Sequence, residues 1–252
     1  MLGYRCLSRE LLIEAATRYE IPEAKLTELL ETPPEVIPMR PEHVRLYRVV
    51  MQAAMCEVAQ GGKLVYHGHG GQALLAGIHH VLKVRLLAPL AYRVARVQEH
   101  RKMDQASAYL YLGRIDEVRA GRVQEFFGVD WQDPRHYDLL LNLGRMSLED
   151  AAQRVVEWAK RPQFQPTPAS EQALQDLTVK ARIEAALAVD PETREVSLNV
   201  LAQEGKVNVW GVLPGFGLER EVMRVIEGVP GVREVVPDLR VSLGEVRVEE
   251  IH

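Results

Sequence analysis

The sequence has 252 residues, 47% hydrophobic and 26% charged, with a net charge of −4, which describes a soluble globular chain long enough for one or two modest cores. No apolar run approaches the roughly 20 residues of a spanning helix, and Arg5, Arg9 and Glu10 break up the apolar block of a secretory signal, so a cytoplasmic address is expected. Cys6 and Cys56 stand singly without a Cys-x-x-Cys partner, which excludes a disulfide framework or zinc ribbon and predicts buried free thiols.

The charge is uneven along the chain. Residues 1–172 carry 22 Lys and Arg against 21 Asp and Glu, whereas residues 173–252 carry 9 against 14. Within the first part, residues 83–122 hold Lys83, Arg85, Arg93, Arg96, Arg101, Lys102, Arg114, Arg119 and Arg122 against only Glu99, Asp104, Asp116 and Glu117. Such an excess can serve phosphates, and the same spacing also fits a solvated helix face.

Taken in chain order, Ser8 is an N-cap candidate, and Leu11, Leu12, Ala15 and Ala16 predict an amphipathic helix over 8–18. A short helix fits 22–31, the proline-rich stretch 32–41 interrupts it, and a longer helix over 42–60 ends at Gly61-Gly62. Runs of strand length follow at Leu64–Tyr66, Val81–Ala88 and Tyr137–Leu143, separated by helical patterns over 89–102 and 105–124; a further helix covers 148–159. Strand alternating with helix predicts an α/β domain with a parallel sheet over residues 1–160.

Pro162, Pro166 and Pro168 mark residues 161–172 as a linker. Beyond it, helix 174–189, strands 195–201 and 206–213 around Gln203-Glu204-Gly205, helix 218–228 and strand 232–243 give the order αββαβ. This predicts a small α+β domain over 173–245, with residues 246–252 as a tail.

The text Val196-Ser197-Leu198-Asn199-Val200, then Gly205-Lys206-Val207-Asn208-Val209-Trp210-Gly211-Val212, then Val229-Pro230-Gly231-Val232-Arg233-Glu234-Val235 resembles a BON domain. The resemblance implies attachment to a phospholipid surface or to another macromolecule. The acidic balance of this module disfavours anionic lipid and shifts weight to a protein partner.

The first module carries Leu2-Gly3-Tyr4-Arg5-Cys6-Leu7-Ser8-Arg9-Glu10-Leu11-Leu12, Val65-Tyr66-His67-Gly68-His69-Gly70-Gly71, Val81-Leu82-Lys83-Val84-Arg85 and Phe127-Gly128-Val129-Asp130-Trp131 with Tyr137-Asp138-Leu139. In these residues it resembles the cytidylate-kinase-like family of P-loop kinases. The resemblance implies a nucleotide ligand, ATP and magnesium in a complete kinase, and a parallel sheet whose first strand, phosphate loop and helix precede the Leu-Gly-Tyr text. No Gly-x-x-x-x-Gly-Lys-Ser/Thr pattern occurs here, since neither Gly62-Lys63-Leu64 nor Gly205-Lys206-Val207 fits. A displaced start codon, a trimmed chain and a natural loss are all consistent with that. The expectation is a domain missing its first strand, without cofactor and inactive as a nucleoside monophosphate kinase unless the loop is restored. A strand left without its neighbour exposes an apolar edge that a second copy could cover, which predicts a homodimer.

By the same resemblance, Arg114, Asp116, Arg119 and Arg122 fall where such kinases carry a lid, with Arg119 the leading phosphate contact; a surface ion-pair ladder is the competing reading. His67, His69 and Gly70 lie at a strand end, where an α/β sheet places ligands. In the family an arginine that grips the acceptor monophosphate occupies the position of His69, and an imidazole is a weaker phosphate partner than a forked guanidinium. His67 and His69 also point to one side of a strand, but no third ligand stands at motif spacing, so no metal is expected. His79 and His80 read as loop or satisfied core, and no nucleic acid polymer is expected as a partner. Two functions follow: a kinase-like nucleotide-binding domain with a BON interaction module, or a sensor or adaptor whose degenerate kinase domain and BON module bind a protein or membrane partner.

Overall fold

The computed structural model describes residues 2–8, 10–24, 26–27, 40–68 and 70–242. The short helix expected over 22–31, the proline-rich stretch over 32–41 and the strand expected over 232–243 lie partly outside these residues, and the tail over 246–252 lies wholly outside them. Helix α1 (Glu10–Arg18) seats Leu11 and Ala15 in the first core. Helix α2 (Pro41–Gln60) opens with proline at its first turn, where a missing N–H costs nothing. It buries Tyr47, Val49, Val50, Met51, Ala53, Ala54, Met55 and Cys56. A helix buried on so much of its circumference is the centre of a core rather than its cover.

A strand that the sequence reading did not anticipate, β1 (Arg5–Leu7), pairs in parallel with β2 (Leu64–Tyr66). Three residues reading Arg-Cys-Leu carry neither alternation nor a β-branched run, so propensity gives no signal there. Helix α3 (Gly71–Leu74) follows β2, and β3 (Val84–Leu87) pairs in parallel with β4 (Leu139–Asn142). Between those strands lie α4 (Leu90–Arg101) and α5 (Gln105–Phe127), which share a small core of Val94, Ala108 and Leu112. Asp104 caps α5 by accepting from the Ser107 amide. The parallel pairing is as expected, but the sheet is divided: β1–β2 and β3–β4 are two separate pairs. Apolar residues on their strands stay open to solvent, Val65 at 43% and Leu86 at 54%.

Helix α6 (Leu148–Ala159) starts at Ser147, whose hydroxyl accepts from the Asp150 amide. Helix α7 (Pro168–Val189) begins six residues before the position that periodicity indicates, inside the stretch expected to link two domains. Thr167 and Ser170 exchange hydrogen bonds in a capping box, and Pro168 stands at a position that tolerates proline. The remaining elements are β5 (Asn199–Gln203), β6 (Lys206–Leu213), α8 (Leu218–Glu227) and β7 (Glu234–Val241), in the order αββαβ. Strand β6 is central, antiparallel to β5 and parallel to β7.

Two cores meet at one helix. Leu174, Ala181, Ala185 and Ala188 of α7 belong to the core built around α2, whereas Val179, Ile183 and Leu187 belong to the core under the β5–β6–β7 sheet. The alanine face lets α7 pack along α2. Polar contacts reinforce the packing: Glu57 of α2 lies 2.7 Å from Arg18 and 2.6 Å from Arg182, and Arg182 also donates to the carbonyl of Pro230. Gln60 donates to the Thr178 hydroxyl.

Candidate functional site

The turn after β2 carries the strand-end candidates. His67 donates its amide to the carbonyl of Leu7 and holds its ring in an exposed position, while His69 lies outside the described residues. Gly70 has φ +72°, and a Cβ there would run into the Phe127 ring. Gly68 and Gly71 lie so close to the Tyr66 ring that neither has room for a side chain. The glycines therefore bring backbone against two aromatic rings, a close approach that only glycine permits. Burial pushes the Tyr66 phenol up to about 12. Phe127 in turn meets Phe126 edge-on, and Phe126 stacks on Tyr47 of α2 at 4.1 Å. His80, four residues before β3, bonds Ser170 at 2.8 Å and so ties the first module to the start of α7.

The four lid candidates all lie on α5, at increasing depth. Arg114 is exposed and makes no hydrogen bond or ion pair among the described residues. Asp116 is held by both guanidinium nitrogens of Arg93 from α4, each at 2.6 Å, a bidentate grip that raises the Arg93 pKa. Arg119, one turn on, is half-buried; desolvation depresses its pKa, and Asp116 beside it acts in the opposite sense. No hydrogen bond to its guanidinium occurs among the described residues. Arg122 is 2% exposed, pairs with Glu125 and stands over the Phe126 ring. The cluster Arg93–Asp116–Arg119 thus holds two guanidinium groups around one carboxylate, leaving a net positive charge between α4 and α5. Arg93, which charge counting alone did not single out, is the residue that organises it.

On the β3–β4 pair, Arg85 of β3 lies 5.9 Å from the Trp131 ring and 5.7 Å from the Tyr137 ring. It also donates to the carbonyl of Gln132, and Tyr137 donates to the carbonyl of Trp131. Asp138 accepts the Lys83 amide. These contacts fix the turn over 130–138 against the strand, a structural role that Asp130 and Asp133 share by accepting amides two residues on.

Neither Gly-Lys sequence is placed to cradle phosphates. Gly62 and Lys63 both have positive φ in the turn that ends α2, and Gly205-Lys206 enters β6 from the β5–β6 hairpin. Neither leads into a helix whose N-terminal amides would face an anion. Among the described residues no cluster of three metal-ligating side chains occurs, and no helix is long and apolar enough to cross a membrane.

Comparison with known proteins agrees with this architecture. The family model described as "Cytidylate kinase-like family" matches residues 1–145, and that of the BON domain matches residues 175–242. A cytidylate kinase from Staphylothermus marinus (strain ATCC 43588 / DSM 3639 / JCM 9404 / F1) is 27% identical over 105 residues, 42% of this chain. The match spans 59% of that relative's length. Among solved structures, an uncharacterized protein from Eubacterium ventriosum ATCC 27560 gives a TM-score of 0.47 at 17% identity, covering 62% of this chain and 84% of that one. The chain belongs to the cytidylate kinase-like family and carries a BON domain at its C-terminal side.

Proposed function

We propose that the kinase-like domain binds a phosphorylated nucleotide between the α4–α5 hairpin and the strand-end turn, and that the BON module is its interaction arm. The observation that carries this reading is Arg119. A half-buried guanidinium without a hydrogen bond among the described residues, next to the saturated Arg93–Asp116 pair, leaves donors unused that a phosphate would satisfy. The 252 residues contain no Walker loop, so the function assigned to them is binding rather than phosphoryl transfer.

Calorimetric titration with nucleoside monophosphates tests the reading. Binding is expected, with Arg119→Ala weakening it about tenfold, the loss of one charged contact. Absence of binding by the parent chain at millimolar nucleotide, or equal binding by Arg119→Ala, would refute it. Transfer of phosphate from ATP by this chain would overturn the non-catalytic assignment. The intact mass of the protein from its native source, set against 28.4 kDa, tells whether a phosphate-loop segment belongs with these residues.

A sensor or adaptor role is favoured by a separate observation, the membership of α7 in both cores. A ligand that shifts α2 acts directly on the helix that supports the BON sheet.

A further inference from the structure

Between the modules lies a cleft of about 200 Å³ lined by Arg48 and Gln52 of α2, Ala73 and Leu74 of α3, Phe127 at the end of α5, and Lys180 and Glu184 of α7. Its floor is apolar, with Leu74 buried. Its walls are charged and largely unpaired. Arg48 makes no hydrogen bond among the described residues, and Lys180 reaches Glu184 only at 3.9 Å, the outer limit of an ion pair. Arg45, one turn from Arg48, donates only to the carbonyl of Arg194, at 3.5 Å. Three cations therefore converge on one carboxylate from two helices of different modules. Gln52 has its amide donor committed to the carbonyl of Leu74, which fixes the side chain at the rim.

We infer that this cleft is a binding site for a small phosphorylated metabolite, no larger than a sugar monophosphate, whose phosphate is held by Arg48 of the kinase-like domain and Lys180 of the BON module. Size and charge argue for this ligand class. A volume of about 200 Å³ is below the roughly 300–1,000 Å³ of sites for drug-sized ligands, and a phosphate with a few carbon atoms fills it. The excess positive charge selects an anion, and the Leu74–Phe127 floor accepts the carbon body. Because one cation comes from each module, bound ligand bridges α2 and α7 and stabilises their packing by mass action. The nucleotide site proposed above uses Arg119 and the turn after β2, whose Gly70 packs on the Phe127 ring that also lines this cleft; the two sites differ in their cations, Arg119 there and Arg48 with Lys180 here.

The test uses the full chain with orthophosphate and ribose 5-phosphate as probes, at ionic strength held constant with sodium chloride. Binding is read by calorimetry and by ³¹P line broadening. Both probes are expected to bind, with Arg48→Gln and Lys180→Gln each weakening them about tenfold and Arg220→Ala, an exposed cation on α8, leaving binding unchanged. Far-UV circular dichroism verifies that the variants are folded; both sites are at the cleft wall, and glutamine keeps the aliphatic stem. Binding equal in the parent and both glutamine variants would overturn the inference, as would absence of binding at 10 mM probe. Signals seen with nucleoside monophosphates alone, and lost in Arg119→Ala, would assign ligand binding to the nucleotide site and overturn the cleft.

Discussion

At the scale of single residues, burial separates two thiols that look alike in sequence. Cys56 sits in the C-terminal third of α2 without exposure, and burial pushes its thiol up to about 12, whereas Cys6 on β1 is exposed. A thiolate is the reactive species, so a group with that pKa is about 10⁻⁴ ionised at pH 8. An aromatic disulfide reagent is expected to titrate one thiol in the native protein and two in denaturant; two fast thiols in the native state would contradict the packing of α2. Glu184 supplies a second case. Burial raises its pKa, while Lys180, Arg48 and Arg45 oppose the rise. A carboxyl whose folded value is raised contributes stability that is complete below the unfolded value, near 4.5, and is lost as pH rises through the folded value. Glu184→Gln is therefore expected to reduce the fall in urea midpoint between pH 4 and pH 8. An unchanged or steeper fall would show that the carboxylate is better solvated than its surroundings imply. The sequence predicts both thiols buried; that holds for Cys56 but not for Cys6, which is exposed on a short strand whose burial depends on its neighbours.

At the scale of elements, periodicity found what packing demands and missed what capping and pairing decide. The apolar stripe located α2 and α6 nearly to the residue, since a helix must bury one face. The BON strands and hairpin were equally legible, because β-branched residues alternate around a turn with Glu204 and Gly205 at positive φ. The start of α7 was not legible from the stripe, because its first turn is held by Thr167 and Ser170 rather than by apolar burial. Three prolines there suggested a linker, yet Pro168 opens a helix. The division of the parallel sheet into two pairs depends on long-range pairing, which no local pattern reports. Of the candidate site, Arg119 and Asp116 were singled out by the resemblance to a kinase lid, whereas Arg93 and Lys180 joined their clusters only through tertiary contact. The dual role of α7 gives a prediction at this scale. Ala185 is fully buried toward α2, so Ala185→Leu overpacks a close helix contact and is expected to cost about 1–3 kcal/mol. Chemical denaturation measures it; a variant as stable as the parent would mean that the two helices are not in close contact.

At the scale of the whole molecule, the question is whether the two family segments fold as two units or one. Separate domains meet through modest, polar interfaces and melt independently. Here α7 gives opposite faces to two cores, so removing either core leaves an apolar stripe of that helix in water. Glu57 adds a polar lock: 8% of its side chain is exposed, and it faces Arg18 of α1 and Arg182 of α7. Removing one member of such a buried group leaves its partners uncompensated, at a cost of about 3–5 kcal/mol for full burial and less here because Arg18 is half exposed. The expected outcome is one calorimetric transition for the parent chain, shifted down as a whole in Glu57→Ala. Trp210 lies on the BON sheet and Trp158 on α6, so tryptophan-to-phenylalanine variants report each module in turn. Coincident melting by both reporters, before and after Glu57→Ala, follows if α7 couples the cores. Two resolved transitions, or a shift confined to the Trp158 reporter, would mean that α7 belongs energetically to one core only, and a ligand on the kinase-like domain would then have no mechanical route to the BON sheet.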